Sequence, residues 1–184
     1  INTITITTIS SFYQLLKKYG AKIKFNNLNN KNNETYGDVV VESSSLKPIK
    51  ASRDYYVKST DEYPILFVIA ALTNGISNFE GIDDLVNKES NRISEMQKIL
   101  KQLGIRSTFA NNNLKIFGKG MINASNRKIT VRNLGDHRIC MSTFILSILT
   151  GANTNIKNFE TVYTSSPSFL KTMSLLGAKF EIQK

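Results

Sequence analysis

Two short segments carry the residues best suited to acid–base chemistry on an anion. The first ends in Lys88, Glu89 and Arg92, and the second is Asp136-His137-Arg138. Arginine and lysine bind carboxylate or phosphate groups, and a carboxylic acid beside them can move a proton. The two segments therefore predict a site for a small, multiply charged anion next to an acid.

The spacing of charges in the first segment leaves two interpretations open. Lys88 and Arg92 are four positions apart, so at the start of a helix they would share one face, with Glu89 about 100° away. Two cations there oppose the helix dipole, and an anion bound between them would offset that cost. In the alternative, the two cations belong to a solvated face that Glu89 and Glu95 neutralise. Spacing alone does not separate a substrate site from a solvated face.

The second segment combines residue types with different chemical uses. Arg138 provides a planar fork of donors suited to carboxylate or phosphate. His137 is the only histidine, and a lone histidine is more often packed or hydrogen-bonded than catalytic. The sequence has no second histidine and no phosphate-binding glycine loop, so we expect neither a metal nor a cofactor. We expect Cys140, in the apolar run that follows, to be a buried structural thiol.

Three segments of the sequence share one pattern, in which apolar residues at helical spacing precede a glycine and then an alternating run. The glycines are Gly20, Gly104 and Gly177. Each segment predicts a helix, a left-handed glycine cap and a strand. The helices are predicted over residues 12–19, 96–103 and 169–176.

A second similarity relates Asp61 to Asp136. Each aspartate opens an apolar run, which predicts a buried helix with the aspartate as its N-cap. Helix N-termini also bind anions, so the two loops are expected to edge one surface. Units therefore restart near residues 61 and 136, and the chain begins inside a repeat, as expected for part of a longer protein. The helices are predicted over 65–72 and 139–149, and the strands that follow them over 76–80 and 156–160.

Composition narrows the class of protein. The chain has 184 residues and 41% hydrophobic content, enough for a substantial core. No apolar run approaches the roughly 18 residues of a membrane span. The net charge of +10 suggests nucleic-acid binding, but the lysines are dispersed and tyrosines do not interleave with them as a stacking platform requires. A single cysteine excludes an internal disulfide and fits a reducing cytoplasm. Polar hairpin loops are predicted over 26–33 and 111–113.

Five motifs, in order along the chain, carry a resemblance to a known family. They are Ser43-Ser44-Ser45-Leu46-Lys47, Asp61-Glu62-Tyr63-Pro64, Lys88-Glu89-Ser90-Asn91-Arg92, the run from Asp136 to Ser142, and Thr164-Ser165-Ser166-Pro167 with a later Leu-Gly-Ala. At these residues the sequence resembles the enolpyruvyl transferases, and among them the branch that acts on shikimate 3-phosphate. The resemblance implies an α/β fold of repeated βαβαββ units, an inside-out barrel with buried helices and sheets outside. It also implies that residues 1–184 form a partial C-terminal domain of a two-domain enzyme.

The resemblance implies a transferase reaction. The family moves the enolpyruvyl group of phosphoenolpyruvate to the 5-hydroxyl of shikimate 3-phosphate and releases phosphate, on the route to chorismate and the aromatic amino acids. Asp61 matches the carboxylate that contacts the reacting hydroxyl and accepts its proton. Glu89 matches the acid that donates a proton to C3. The missing N-terminal domain would supply the rest of the site, so the isolated chain is expected to be inactive.

The remaining roles implied by the resemblance concern substrate binding and support. Lys88 matches a cation on the phosphoshikimate side of the site. Arg92 and Arg138 match the two arginines that hold phosphoenolpyruvate. Asp136 and His137 match neighbours that support these groups without touching substrate. No metal and no cofactor are implied, and neither are nucleic-acid or membrane partners.

The sequence departs from the family pattern at several positions. Asn91 stands where members usually carry Asp, and Ile6-Thr7-Thr8-Ile9 stands where an Asn and an Arg precede the first helix. Thr164 replaces a lysine found in many members, and Ser166 replaces a usual Phe. These departures motivate a second hypothesis, in which the chain is a non-catalytic remnant or a partner-dependent half of a split enzyme.

Overall fold

The computed structural model describes residues 3–31 and 34–182, with side chains described over 11–30 and 35–182. Helices and strands alternate through the chain, which confirms the predicted α/β class. The helices are α1 (Ile6–Lys18), α2 (Arg53–Ser59), α3 (Tyr63–Ala71), α4 (Arg92–Gln102), α5 (His137–Thr150), α6 (Thr161–Ser165) and α7 (Phe169–Leu175). The strands are β1 (Thr3–Thr5), β2 (Lys22–Lys31), β3 (Glu34–Glu42), β4 (Lys50–Ala51), β5 (Gly75–Phe79), β6 (Arg106–Ala110), β7 (Asn113–Gly118), β8 (Lys128–Val131) and β9 (Asn153–Ile156).

The core is built around α3 and α5, which pack against each other and against α4. Both predicted apolar helices are confirmed. Residues on all sides of α3 are buried, including Leu66, Phe67 and Val68, because a helix that is apolar all round is stable only inside a core. Helix α5 ends at Gly151, whose φ of 71° provides the left-handed cap.

The described strands form three separate sheets; the first packs against α1, the second against α3 and α4, and the third against α4 and α5. The first has the order β1-β3-β2 and is antiparallel. The second has the order β4-β5-β7-β6, with β4 parallel to β5 and the remaining pairs antiparallel. The third consists of β8 and β9, which are parallel. The site described below lies where helices α3, α4 and α5 begin.

The three predicted glycine caps are confirmed and share one hydrogen-bond pattern. Gly20, Gly104 and Gly177 have φ values of 107°, 71° and 91°. In each case the next residue donates its amide to a carbonyl five positions back, at 3.0 Å every time. Strands β2 and β6 follow the first two caps as predicted. The strand predicted after Gly177 is wrong, because residues 178–182 adopt no regular structure and no described strand lies beside them as a hydrogen-bonding partner.

Three further predictions need correction. Most of the loop predicted over 26–33 belongs to β2, which accommodates the asparagines through an irregular register between Asn26 and Asn29; residues 32 and 33 lie outside the described part of the chain. The strand predicted over 156–160 ends at Ile156, since Asn158 has a φ of 56° and turns the chain. Residues 6–9 form the first turns of α1 and do not precede it.

The predicted turn at 111–113 is confirmed in its essentials. Asn111 and Asn112 both have positive φ values, 50° and 61°, which match the right-handed twist of the strands that they join. Asn113 already belongs to β7. Asparagine tolerates this conformation better than other residues with side chains, which accounts for the asparagine run.

Position 118, at the end of β7, requires glycine because the backbone at the end of α3 lies too close for a side chain. A Cβ at this position would lie 2.0 Å from the carbonyl oxygen of Thr73 and 2.2 Å from that of Ala70. Neither backbone atom can move freely, because both lie where α3 ends in the core. We expect Gly118→Ala to lower the free energy of unfolding by at least about 3 kcal/mol. Urea titration of the isolated chain measures this effect.

Gly177→Ala is the matched control. No atom lies within 4 Å of the Cβ that alanine would add there, so only the positive φ of 91° opposes the change. We expect a loss of about 1–2 kcal/mol for this variant. Equal losses for the two variants would contradict the explanation by close backbone contact.

Candidate functional site

Arg92 is the centre of the site. It is the first residue of α4, and its side chain is completely buried. Its Nε donates to Asp136 at 3.0 Å, its Nη1 donates to Asp61 at 3.2 Å, and its Nη2 donates to Glu89. One guanidinium therefore joins three carboxylates from three different parts of the chain. A buried arginine is stable only with such partners, since an unpaired buried charge is very costly.

Arg138 binds the same aspartate from the other side. Its Nη2 donates to Asp61 Oδ2 at 2.9 Å, and its Nη1 donates to the Asp61 carbonyl at 3.0 Å. The Asp61 carboxylate thus lies between two guanidiniums, with Arg92 on Oδ1. About half of the Asp61 side chain is exposed, and 29% of the Arg138 side chain. Both residues lie on the solvent-facing side of the site, as does Glu89.

Asp136 anchors the arrangement from the protein interior. It is fully buried and forms the predicted N-cap of α5, since Oδ1 accepts from the amides of Arg138 at 3.0 Å and Ile139 at 3.3 Å. Its Oδ2 accepts from Arg92 and from the Ser90 hydroxyl at 2.9 Å. The carboxylate therefore fixes the start of α5 and the orientation of Arg92 together. Asp136 lies behind Arg92 and away from solvent, so its supporting role stays a prediction with which this position is compatible.

Asp61 does not cap a helix as predicted. It lies in a short 3-10 helix, Thr60–Glu62, and the N-cap position of α3 belongs to Glu62, which makes no side-chain capping bond. The carboxylate of Asp61 is instead directed toward Arg92 and Arg138. The prediction failed because two positively charged guanidiniums bind a carboxylate more strongly than the backbone amides at the start of one helix do.

The predicted common face of Lys88 and Arg92 is also wrong. Helix α4 begins at Arg92, while Lys88 precedes it in extended backbone. The Lys88 ammonium lies 2.8 Å from Asp84 and does not contact the three carboxylates around Arg92. Glu89, predicted to point away, turns its carboxylate onto the Arg92 guanidinium. The solvated-face alternative fails as well, because Arg92 is buried and Glu95 pairs with Lys98 and Arg132.

Asn91 explains where α4 starts. Its side-chain oxygen accepts from the Ser94 amide at 2.9 Å, which makes it the N-cap. Asparagine and aspartate are about equally good at this position. The departure from the family pattern at residue 91 therefore preserves the local structure that aims Arg92 at its partners.

His137 is the first residue of α5 and is half-buried. Among the described residues it makes no side-chain hydrogen bond or ion pair. Its backbone places it between Asp136 and Arg138, beside the site but outside the network of charges. The structure offers no contact through which His137 would act on a substrate.

The charges in the site act on one another. Burial alone lowers the pKa of Arg92, but hydrogen bonding to Asp136 and the charges of Asp136 and Glu89 raise it overall. Burial raises the pKa of Asp136, but Arg92, Ser90 and the Ile139 amide outweigh that effect and leave the pKa below its ordinary value. Both groups therefore stay ionised at neutral pH. Two guanidiniums face three acidic side chains, so each arginine has an acidic partner before any ligand binds.

The depressed pKa of Asp136 predicts a specific loss of stability in acid. An aspartate whose folded-state pKa is lowered stabilises the fold at pH values above about 3.9, the unfolded value, and loses that contribution as the pH falls through the folded pKa. We expect the free energy of unfolding of the wild-type chain to fall more steeply below about pH 4 than that of Asp136→Asn, which cannot titrate. Urea titrations at several pH values measure both slopes, and equal slopes would contradict the prediction.

Two residues of the site were not singled out from the sequence. Ser90 orients Asp136, and its place between Glu89 and Arg92 in one of the five motifs was the available signal. Glu62 adjoins Asp61, and burial raises the pKa of its carboxyl, although the charge of Arg138 lowers it in part. A half-buried acid next to Asp61 is therefore partly protonated at a higher pH than usual. Its adjacency to Asp61 could have drawn attention to it.

Other predicted features lie outside the network of charges. Cys140 is buried, as predicted, and burial raises the pKa of its thiol to about 12, which makes it a poor nucleophile at neutral pH. In the parts of the chain that the structure describes, no group of three or more acidic, histidine or cysteine side chains is arranged to hold a metal ion. None of the described helices is long and apolar enough to cross a membrane.

Comparison with known proteins gives a consistent result. The family model described as EPSP synthase (3-phosphoshikimate 1-carboxyvinyltransferase) matches residues 1–173. The 3-phosphoshikimate 1-carboxyvinyltransferase of Clostridium tetani is 35% identical over 159 residues, which are 86% of this chain and 36% of that protein. The protein of the same name from Paramagnetospirillum magneticum is 32% identical over 170 residues, 92% of this chain and 38% of that protein. The chain thus spans less than two fifths of the length of these curated relatives.

Solved structures agree with the sequence matches. An EPSP synthase from Acinetobacter baumannii superposes with a TM-score of 0.84 and 30% identity, over 98% of this chain and 42% of that one. The enolpyruvyl transferase NikO from Streptomyces tendae superposes with a TM-score of 0.65 over 96% of this chain and 38% of that one. Its identity of 14% makes it a likeness of fold alone.

Proposed function

Because the chain belongs to the EPSP synthase family, we propose that it carries part of the active site of a 3-phosphoshikimate 1-carboxyvinyltransferase. Such an enzyme adds the 5-hydroxyl of shikimate 3-phosphate to C2 of phosphoenolpyruvate as C3 takes a proton, and then expels phosphate. The single observation that carries the proposal is the convergence of Asp61 and Glu89 on the buried Arg92, with Arg138 bound to the other side of Asp61. Two fixed cations and two separately held acids are the groups that this reaction needs.

The two exposed carboxylates divide the proton transfers in this proposal. Asp61 accepts the proton of the attacking hydroxyl, and Glu89, once it has taken up a proton from solvent, donates that proton to C3. Each is about half exposed, so each can reach a substrate, and each is oriented by a guanidinium. The ion pairs with Arg92 and Arg138 keep the carboxylates in place in the substrate-free protein.

The two arginines hold phosphoenolpyruvate in this proposal. Its carboxylate and phosphate are planar or multidentate anions that a guanidinium binds through two parallel hydrogen bonds. Arg138 is the better placed to move, since its side chain is partly exposed and the only described hydrogen-bond partner of its guanidinium is Asp61. Arg92 provides the fixed charge, because burial and Asp136 hold it rigidly. Lys88 of this chain and further cations from the complementary part of the enzyme would offset the charge of the bound anions.

In this proposal Lys88 joins the site only when substrate binds. In the substrate-free structure its ammonium binds Asp84, whose second partner is the Tyr56 hydroxyl at 3.1 Å. The hydrogen bond from Lys88 lowers the pKa of Asp84. We propose that Lys88 exchanges this partner for shikimate 3-phosphate. Asp136 supports the site from behind Arg92, and His137 lies beside the site.

The proposal makes this chain the C-terminal domain portion of a two-domain enzyme. The relatives are more than twice as long, so the rest of the site lies in a portion that this chain does not match. Alone, the chain should turn over negligibly, because each missing transition-state contact costs about 10²-fold or more. A cytoplasmic location belongs to the proposal and is supported by the single unpaired cysteine.

Growth complementation tests the proposal. The test strain lacks its own 3-phosphoshikimate 1-carboxyvinyltransferase and grows only with added aromatic amino acids. It receives this chain together with the part of the Clostridium tetani relative that the chain does not match, called the complementary portion below. We expect growth without aromatic amino acids only when both are expressed. No growth, with both proteins folded and associated, would contradict the proposed function.

Glu89→Gln tests the proposed proton donor within the same pair of proteins. The amide keeps the size of the side chain and can still hydrogen-bond, but it cannot donate a proton to carbon. We expect phosphate release to fall by about 10²-fold or more, with the association of the two proteins unchanged. Glu80→Gln is the matched control, since Glu80 is exposed and its carboxylate only accepts from Asn78 at 2.9 Å. Wild-type activity in Glu89→Gln would remove Glu89 from the mechanism.

A further inference from the structure

Positive charge is concentrated in one part of the chain. Residues 93–135 contain eight lysines and arginines and a single acid, Glu95, whereas the rest of the chain contains sixteen cations and thirteen acids. A general bias toward lysine would raise the number of cations throughout the chain, so it does not explain this contrast. Protein surfaces normally mix charges of both signs, because like charges in one region repel one another.

The fold brings several of these cations together around helix α4. Two grooves lie beside this helix, and Lys98 and Lys101 line both of them, so these two lysines form the ridge between the grooves. Arg106, on β6, lines the first groove. Arg132, which follows β8, lines the second. Cations from three separate parts of the chain therefore border one continuous surface.

Two more cations reach this surface at Gly104, which lines the first groove. A Cβ at Gly104 would lie 3.3 Å from Nη1 of Arg127 and 3.6 Å from Nζ of Lys119. Both positive groups therefore converge on the end of the groove. We call the six cations together the basic surface: Lys98, Lys101, Arg106, Lys119, Arg127 and Arg132.

Contacts within the chain neutralise little of the basic surface. Glu95 pairs with two of the six cations, at 2.7 Å and 3.4 Å. Arg127 donates to the carbonyl of Gln102, at the negative end of the α4 dipole. The side chains of Lys101 and Lys119 make no ion pair or hydrogen bond with any described residue. Most of the positive charge is therefore left for a partner that carries negative charge.

The basic surface lacks the apolar anchors of a protein interface. Met121 is the only large hydrophobic residue of the described segment 93–135 that is well exposed, at 70%. Protein–protein interfaces have an apolar core with few charges, whereas interfaces with nucleic acids are more polar and much more positively charged. Dispersal of the lysines along the sequence argued against nucleic-acid binding. The folded chain removes that objection, because the cations share one surface.

Arg106 adds a feature that favours a single strand. Its guanidinium stacks on the ring of Phe117, with 3.8 Å between its central carbon and the ring centroid. The two residues occupy paired positions of β6 and β7. Arg106 is exposed and makes no hydrogen bond with a described side chain, so the face of its plane away from the ring can stack on a base. Unpaired bases stack on arginine and aromatic planes, but bases inside a duplex do not.

We propose that the basic surface binds single-stranded nucleic acid. The two grooves beside α4 hold phosphates of the strand, Lys119 and Arg127 extend this path past Gly104, and one base stacks on Arg106. RNA and DNA share the chemistry that these contacts recognise. None of the groups of the proposed transfer site takes part, so the failure of this proposal would leave the transfer assignment as it stands.

Fluorescence anisotropy with labelled single-stranded RNA and DNA of about 12 nucleotides tests the proposal. Six phosphate contacts predict a slope of about −4 in the logarithm of affinity against the logarithm of salt concentration. We therefore expect binding that weakens by about 10²-fold or more between about 50 and 200 mM salt. Absence of binding at the lower concentration would overturn the proposal. Loss of binding when the complementary portion is added would do so too, because that portion would then cover the surface.

A triple variant locates the contacts with phosphate. It removes three cations of the basic surface: Lys101→Gln, Lys119→Gln and Arg127→Gln. We expect the salt slope to become shallower by about 2, since each contact with a single strand contributes about 0.7. The matched control removes three exposed cations from β2 and α2: Lys22→Gln, Arg53→Gln and Lys58→Gln. Equal slopes in the two triple variants would show that the binding does not involve this surface.

Arg106→Lys separates stacking from charge. Lysine keeps the positive charge but has no plane on which a base can stack, so affinity for the oligomers should fall by about fivefold or more with the salt slope unchanged. Poly-glutamate of equal charge should displace the oligomers from the wild-type chain about tenfold less well than unlabelled RNA does. Wild-type affinity in Arg106→Lys would contradict the single-strand proposal. Equal displacement by poly-glutamate would contradict it as well, and would indicate an acidic protein segment as the partner.

Discussion

Replacing Arg92 with alanine is expected to lower the free energy of unfolding by about 3–5 kcal/mol. The reason is Asp136, which would remain fully buried with its charge and without its cation. The loss includes the two further carboxylates that Arg92 orients, Asp61 and Glu89. Urea titration of the isolated chain measures the change directly. Phosphate release in the mixture with the complementary portion should be abolished at the same time.

Two comparisons separate the buried charge from other effects of the substitution. Arg132→Ala is the matched control, because Arg132 is exposed and pairs with Glu95 at 3.4 Å; its cost should stay below about 1 kcal/mol. The double variant Arg92→Ala/Asp136→Asn should lose less free energy of unfolding than the two single variants lose together. The reason is that it leaves no buried charge unpaired. Strictly additive losses would show that the Arg92–Asp136 pair does not account for the stability of this region.

Asp61→Asn is expected to reduce turnover by about 10²-fold or more, because the amide cannot accept the proton of the attacking hydroxyl. Anion binding, in contrast, should not weaken. The neutral amide would leave Arg138 without a charged partner, so the affinity for phosphoenolpyruvate should rise or stay constant while turnover falls. Steady-state kinetics of phosphate release in the mixture measure both effects. The fold should be nearly unaffected, since the Asp61 side chain is half exposed.

Asp83→Asn serves as the control for Asp61→Asn. Asp83 is also half exposed and also faces an arginine, Arg53, but at 3.8 Å and away from the Arg92 network. Its turnover should match that of the wild type. If Asp61→Asn kept wild-type turnover, or lost activity only through a raised KM, Asp61 would be a binding residue and not the proton acceptor.

Local signals in the sequence predicted the elements well where a single residue type decides the outcome. The glycine caps at Gly20, Gly104 and Gly177 depend on positive φ, which glycine adopts freely. The capping role of Asp136 depends on one side chain and the amides next to it. Helices α3 and α5 were predicted because apolar residues on every side of a helix require burial. These arguments involve neighbours in the chain and need no tertiary information.

Predictions made from residue spacing failed where residues distant in the chain compete for one partner. Lys88 and Arg92 were expected on one helix face, but Asn91 starts the helix after Lys88, and the lysine turns to Asp84. Asp61 was expected to cap α3, but guanidiniums 31 and 77 positions away bind it instead. No periodicity in the sequence indicates that three carboxylates meet at one arginine. The strand after Gly177 failed for a related reason, because a strand forms only beside a partner.

The rate of phosphate release from phosphoenolpyruvate plus shikimate 3-phosphate, by this chain mixed with the complementary portion, tests the central claim most directly. We predict release that requires both substrates and both proteins, with neither protein active by itself. A folded and associated mixture that released no more phosphate than either protein alone would contradict the assignment of Asp61, Glu89, Arg92 and Arg138 to an enolpyruvyl transfer site.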